Sequence, residues 1–84
     1  MYSLIFDEKA TEIISKFPKE AIKRIYKKLE DSKANPHHFF EKLGGRDDYR
    51  LRVGDYRIIA DINDKEKRIE VTFAGQRKNI YKKL

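Results

Sequence analysis

Eighty-four residues make one domain, and a chain this short buries only roughly 60–65% of the surface that its unfolded form exposes. There is no cysteine, which excludes disulfides, thiolate zinc sites and a thiol nucleophile, so five Tyr, five Phe and many Ile and Leu must supply the core alone. Twenty Lys and Arg against fourteen Asp and Glu leave a net charge of +6, which attracts polyanions. No apolar run reaches the roughly 18–20 residues of a membrane span. The opening Met1 to Asp7 lacks the basic start and long apolar stretch of a signal peptide. The expected location is the cytoplasm, with no membrane partner.

In chain order, residues 2–6 read as a first strand, with Tyr2, Leu4 and Phe6 alternating onto one face. Asp7 stands where a helix N-cap belongs. Ala10, Ile13, Ile14 and Phe17 then recur at i, i+3, i+4 and i+7, the stripe of a short amphipathic helix. Pro18 punctuates it and suits the first turn of a second helix. That helix buries Ala21, Ile22, Ile25, Tyr26 and Leu29, turns Lys19, Lys23, Lys27 and Lys28 outward, and ends before Asn35-Pro36. Beyond Leu43 the period changes to two. Tyr49, Leu51 and Val53 alternate with Arg50 and Arg52, and Tyr56, Ile58, Ala60 and Ile62 alternate with Arg57, Ile59 and Asp61. Gly54-Asp55 between them is a two-residue hairpin turn, which sets Val53 against Tyr56, Leu51 against Ile58 and Arg52 against Arg57. After a polar turn at 63–67, Ile69, Val71 and Phe73 are expected to face Ile62, Ala60 and Ile58. Gly75 is expected to stop that strand, and residues 76–84 to form a short terminal helix.

The predicted fold is α+β. It is a two-layer sandwich in which an N-terminal helix hairpin covers a four-stranded antiparallel sheet of order 1-4-3-2, leaving the other sheet face open to solvent. The register puts Arg52, Arg57 and Ala74 at one end of that face, Arg50, Ile59 and Thr72 in the middle, and Asp48, Asp61 and Glu70 at the far end. Arg52 opposite Arg57 breaks a local rule, because like charges across a ladder repel. Arg77 follows the last strand near the same end. Forked guanidinium donors match phosphate oxygens, yet arginines also simply keep a sheet face wet, and spacing alone leaves both readings open. The carboxylates at the far end are expected to pair with neighbouring cations such as Arg50 or Arg68 rather than hold a metal. His37 and His38, adjacent in a loop, cannot easily aim at one ion. No metal and no other cofactor is expected.

The run Leu43-Gly44-Gly45, followed by Tyr49-Arg50-Leu51-Arg52-Val53-Gly54-Asp55-Tyr56-Arg57-Ile58-Ile59, resembles the RelE/ParE toxin superfamily. Gly75-Gln76-Arg77-Lys78-Asn79-Ile80-Tyr81 is similar to the ending of its RelE-like branch, in which an arginine is followed shortly by a tyrosine. The resemblance spans residues 1–84 as a single RelE-like toxin domain. It implies an endoribonuclease that cuts messenger RNA in the ribosomal A site and is silenced by a RelB-like antitoxin. It also implies catalytic roles for Arg57, Arg77 and Tyr81 and RNA-phosphate contacts from Arg50, Arg52 and Lys78. The family is often lysine at the positions of Arg50 and Arg52, and arginine keeps the charge but exchanges protons poorly.

The residue chemistry is compatible with that expectation. RNA brings its own nucleophile, the 2′-OH, so cleavage needs alignment, a base, a leaving-group acid and cations around the phosphorus, and neither metal nor triad. Tyr81 fits a base whose pKa nearby arginines lower, and equally fits a ring packed with Ile80 and Leu84 against the domain. Two other members of the superfamily share the fold: a ParE-like toxin that binds DNA gyrase without cutting nucleic acid, and an inactive toxin kept within an antitoxin complex. Fold alone cannot separate them.

Overall fold

The computed structural model describes residues 1–45 and 47–76. In chain order these form β1 (Ser3–Phe6), α1 (Glu8–Ser15), α2 (Lys19–Ser32), a single helical turn α3 (Pro36–Phe39), β2 (Glu41–Lys42), β3 (Tyr49–Val53), β4 (Tyr56–Asn63) and β5 (Arg68–Gln76). The expected apolar stripes make the core, except for Tyr26, expected buried on the second helix but 37% exposed, where its ring meets Phe6 of β1. Ala10 and Ile14 from α1, with Ile25 and Leu29 from α2, pack on Leu51, Val53, Ile58, Ala60, Ile69, Val71 and Ala74 of the sheet. Ile13, Phe17 and Ile22 close the margins of that layer. Asp7 does occupy the N-cap position of α1 but makes no side-chain cap.

The sheet has five strands, not four, in the order β1-β5-β4-β3-β2, and it is mixed rather than antiparallel. The expected neighbours are correct, since β1 pairs with the last strand, but the two run parallel, Leu4 beside Ile69 and Phe6 beside Val71. The reason lies in the number of reversals. Two antiparallel helices bring the chain back to the end where β1 began, where the Tyr2 amide donates to the Lys33 carbonyl. β3 leaves from that end, and two hairpin reversals later so does β5. The fifth strand is the two-residue β2, with Glu41 opposite Arg50 and Lys42 opposite Tyr49.

The β3–β4 register is as expected in all three pairs, including Arg52 opposite Arg57. The β4–β5 register holds at Ile62–Ile69 and Ala60–Val71, then slips by one residue at a bulge between Ile59 and Ala60. Beyond the bulge, Phe73 faces Ile59 instead of Ile58, and Ala74 takes the core position opposite Ile58. Ala74, expected beside the arginines, is thus in the core. Gly75 does not end the strand: it lies inside β5, directly across from Arg57. The expected terminal helix, with Arg77, Lys78 and Tyr81, lies outside the described residues.

Candidate functional site

Two strands and one tight turn bring the arginines together. Successive strand residues point to opposite faces, so Arg50 and Arg52 share one side of β3, and the cross-strand partner Arg57 shares it with them. Gly54, with φ of +59°, makes the turn that fixes this register. The face is not open as expected, because Ile59 is 1% exposed and Arg57 only 6%.

Arg57 is the buried member. Its Nη1 donates to the Gly54 carbonyl at 2.8 Å and to the Tyr56 carbonyl at 3.0 Å. Its Nε is buried and has no hydrogen-bond partner among the described residues. No carboxylate pairs with it there, although buried charges are normally paired. Gly75 across the ladder leaves that position without a side chain. A desolvated guanidinium without an ion pair among the described residues, beside Arg50 and Arg52, concentrates positive charge on this face.

Arg52 is the exposed member, and Arg50 lies between the two in burial. Glu41 on β2, which sequence reasoning missed, approaches both, with one carboxylate oxygen 3.5 Å from Arg50 Nη2 and 3.8 Å from Arg52 Nε. These contacts are long and Glu41 is exposed, so they hold little energy against a phosphate that offers shorter bonds. A two-residue strand carries no alternation signal, so nothing in the sequence marked Glu41. Lys28 of α2 also joins this end of the sheet, donating from Nζ to the Arg52 carbonyl at 2.9 Å.

At the far end Asp61 does face Glu70. The partner that matters most to Glu70 is Asp7: a hydrogen bond between the two carboxyls, then the Asp7 charge, burial and the Asp61 charge, push Glu70 above the ordinary carboxylate range. Arg68 opposes that shift. No group of three His, Asp or Glu side chains that would hold a metal occurs among the described residues. The histidines separate. His38 packs edge-on to Phe39, while His37 Nε2 lies 2.7 Å from Asp64 Oδ1, which also accepts from the Tyr2 hydroxyl at 2.7 Å. The Tyr2 bond first, then His37, hold the Asp64 carboxyl below its usual value. This cluster pins β1, α3 and the β4–β5 turn together, and its members come from segments too far apart for any spacing to reveal.

The chain matches a family model described as the ParE toxin of type II toxin–antitoxin systems over residues 4–81. No curated protein matches it. Among solved structures, the RelE–RelB complex from Pyrococcus horikoshii is similar at 27% identity and a TM-score of 0.79, covering 93% of this chain and 97% of that one. The intact RelBE complex from E. coli is 28% identical with a TM-score of 0.77, over 90% and 96%. The isolated E. coli RelE toxin is 26% identical with a TM-score of 0.78, over 99% and 94%.

Proposed function

Because the chain belongs to the RelE/ParE family of toxins from type II toxin–antitoxin systems, we propose that it works as the RelE branch does: as a ribosome-dependent, metal-independent endoribonuclease on messenger RNA. The observation that carries this reading is Arg57, 6% exposed and without an ion pair among the described residues, on the same face as Arg50 and Arg52. A toxin that only docked on a protein would gain little from an unpaired buried cation grouped with two further arginines.

In this mechanism Arg57 and Arg52 grip the non-bridging oxygens of one phosphate, and Arg50 holds the flanking one. The 2′-oxygen forms a bond to phosphorus while the bond from phosphorus to the 5′-oxygen breaks. The 2′-OH proton goes to the base, a role that falls to Tyr81, and the leaving 5′-oxygen takes its proton from a water molecule as it departs. Arg77 and Lys78 add positive charge as negative charge builds on the phosphoryl oxygens. The products are a 2′,3′-cyclic phosphate and a 5′-hydroxyl. A weak base makes alignment decisive, which is the ribosome's contribution in the cytoplasm.

The antitoxin partner is RelB-like. A hollow of about 630 Å³ between α1 and the end of β5 supports this, with Phe17, Tyr56 and Phe73 in its lining and Lys9 and Lys16 at its side. An amphipathic acidic helix suits that combination of aromatic floor and basic edge.

The test is a translating extract programmed with one defined message and with the same message carrying a 2′-deoxy residue at the cut site. The mechanism requires cleavage of the first only, with 5′-hydroxyl ends. Cleavage of the 2′-deoxy message, or 5′-phosphate ends, would overturn it. The matched family description favours one second reading, a ParE-like toxin that binds DNA gyrase. No cleavage of any message, together with gyrase inhibition, would establish that reading instead.

A further inference from the structure

The arginine face does not stop at the edge of the sheet. Arg24 and Lys28 lie one turn apart on α2, and both reach the β3–β4 turn. Lys28 Nζ donates to the Arg52 carbonyl at 2.9 Å. Arg24 meets Gly54 through the end of its guanidinium, so close that a Cβ there would stand 2.8 Å from Arg24 Nη2. The other side of the same glycine is held by Arg57, through the carbonyl bond at 2.8 Å. Three cations from two elements therefore converge on the Gly54 end of the β3–β4 hairpin. Neither Arg24 nor Lys28 makes an ion pair among the described residues, although Lys27 beside them finds Asp31 at 3.5 Å.

We propose that Arg24 and Lys28 form a second phosphate seat, which continues the sheet site around the Gly54 turn and takes the backbone of the same RNA beyond the reacting phosphate. This rests on the nuclease reading for the identity of the polyanion. The occupant is a nucleic-acid backbone and not an amphipathic peptide, because the patch has charge without an apolar anchor. Arg24, Lys28, Gly54 and Asp55 are all exposed, and the core residues Ile25 and Leu29 point the other way. Helical peptides dock through apolar side chains, whereas polynucleotides dock through released counterions.

The experiment measures binding of a short fluorescein-labelled single-stranded RNA, 2′-O-methylated so that it cannot be cut, to the purified full chain across a range of KCl. For single strands each phosphate contact adds about 0.7 to the slope of log affinity against log salt. The pair R24Q and K28Q together should lower that slope by about 1.4, and R24K with K28R should restore it. A control pair of exposed cations on the opposite turn, K65Q with K67Q, should leave it unchanged. An equal fall in the control pair would mean a diffuse field and overturn the proposal. So would a fall that R24K with K28R does not rescue, which would mark a packing role on the turn. An oligoglutamate peptide that binds as tightly as the RNA, with the same loss in the neutral pair, would assign the seat to an acidic protein and also overturn it. The readout is independent of cutting. If the wild type cuts no message, the nuclease reading falls while the slope still tests this surface. If it cuts and the slope does not move, this inference alone falls.

Discussion

Replacing Arg57 with methionine separates a structural arginine from a functional one. In the folded chain this guanidinium makes two hydrogen bonds to carbonyls at 2.8 and 3.0 Å. Bonds from a charged donor contribute about 1.5–3 kcal/mol each. Against them stand the several kcal/mol of desolvation for a charge that is 6% exposed without a carboxylate, and an Nε that is buried and unbonded. These terms nearly cancel, and methionine keeps most of the packing volume. Arg57→Met should therefore change stability by no more than about 1 kcal/mol, or a Tm shift within about 4–8 °C for a domain of this size. If the side chain grips the reacting phosphate, its loss removes about 2–4 kcal/mol of transition-state stabilisation, a fall in cleavage rate of roughly thirtyfold to a thousandfold. Arg57→Lys, with the charge but not the fork, should fall between. The assay is single-turnover cleavage of a defined message on programmed ribosomes, beside a thermal melt of each variant. A methionine variant that cuts at the wild-type rate would refute the assignment. So would one that loses activity only in proportion to a collapse in Tm.

Gly54→Ala should cost about 1–2 kcal/mol in a thermal melt, because φ is +59° there, with Arg24 forced aside as well; an unchanged midpoint would refute the strained turn. Glu70→Gln should raise stability at neutral pH by the few tenths to about 1 kcal/mol expected when like charges opposite one another are relieved, read as a higher Tm. Glu70 binds its proton more tightly folded than unfolded, so its favourable contribution is complete below its ordinary value of 4.5 and is lost as pH rises through the folded value; the gain from Gln must vanish in acid. Asp64→Ala carries the opposite sign. The folded Asp64 carboxyl is held low, so its contribution is present above 3.8 and lost as pH falls through the folded value, and the wild-type advantage in Tm should disappear only in strong acid. Melts at neutral and acid pH check both.

The sequence revealed most where one local rule acted alone. The i, i+3, i+4 stripes of the two helices fixed which face they bury, and Gly54-Asp55 fixed the Arg52–Arg57 pairing that the site depends on. What escaped was set at a distance. The one-residue slip opposite Ile59 has no residue marking it, yet it moves Ala74 into the core. The direction of β1 was implicit in the count of chain reversals, which alternation patterns do not register. Glu41 reaches the arginines only because the chain after α3 brushes the edge of β3, and the Tyr2–Asp64–His37 cluster exists only in three dimensions.

The parallel pairing of β1 with β5 also sets an order of events during synthesis. The first strand has its partner in residues 68–71, so it stays unpaired until those residues have left the ribosome. Contacts this far apart in sequence close late, because the loop between them must be ordered first. The helices can form as they emerge, yet β5 lies between β1 and β4, so β1 cannot join the sheet until β5 is in place. The same delay leaves the early apolar strand bare during translation, open to capture by whatever waits beside the exit.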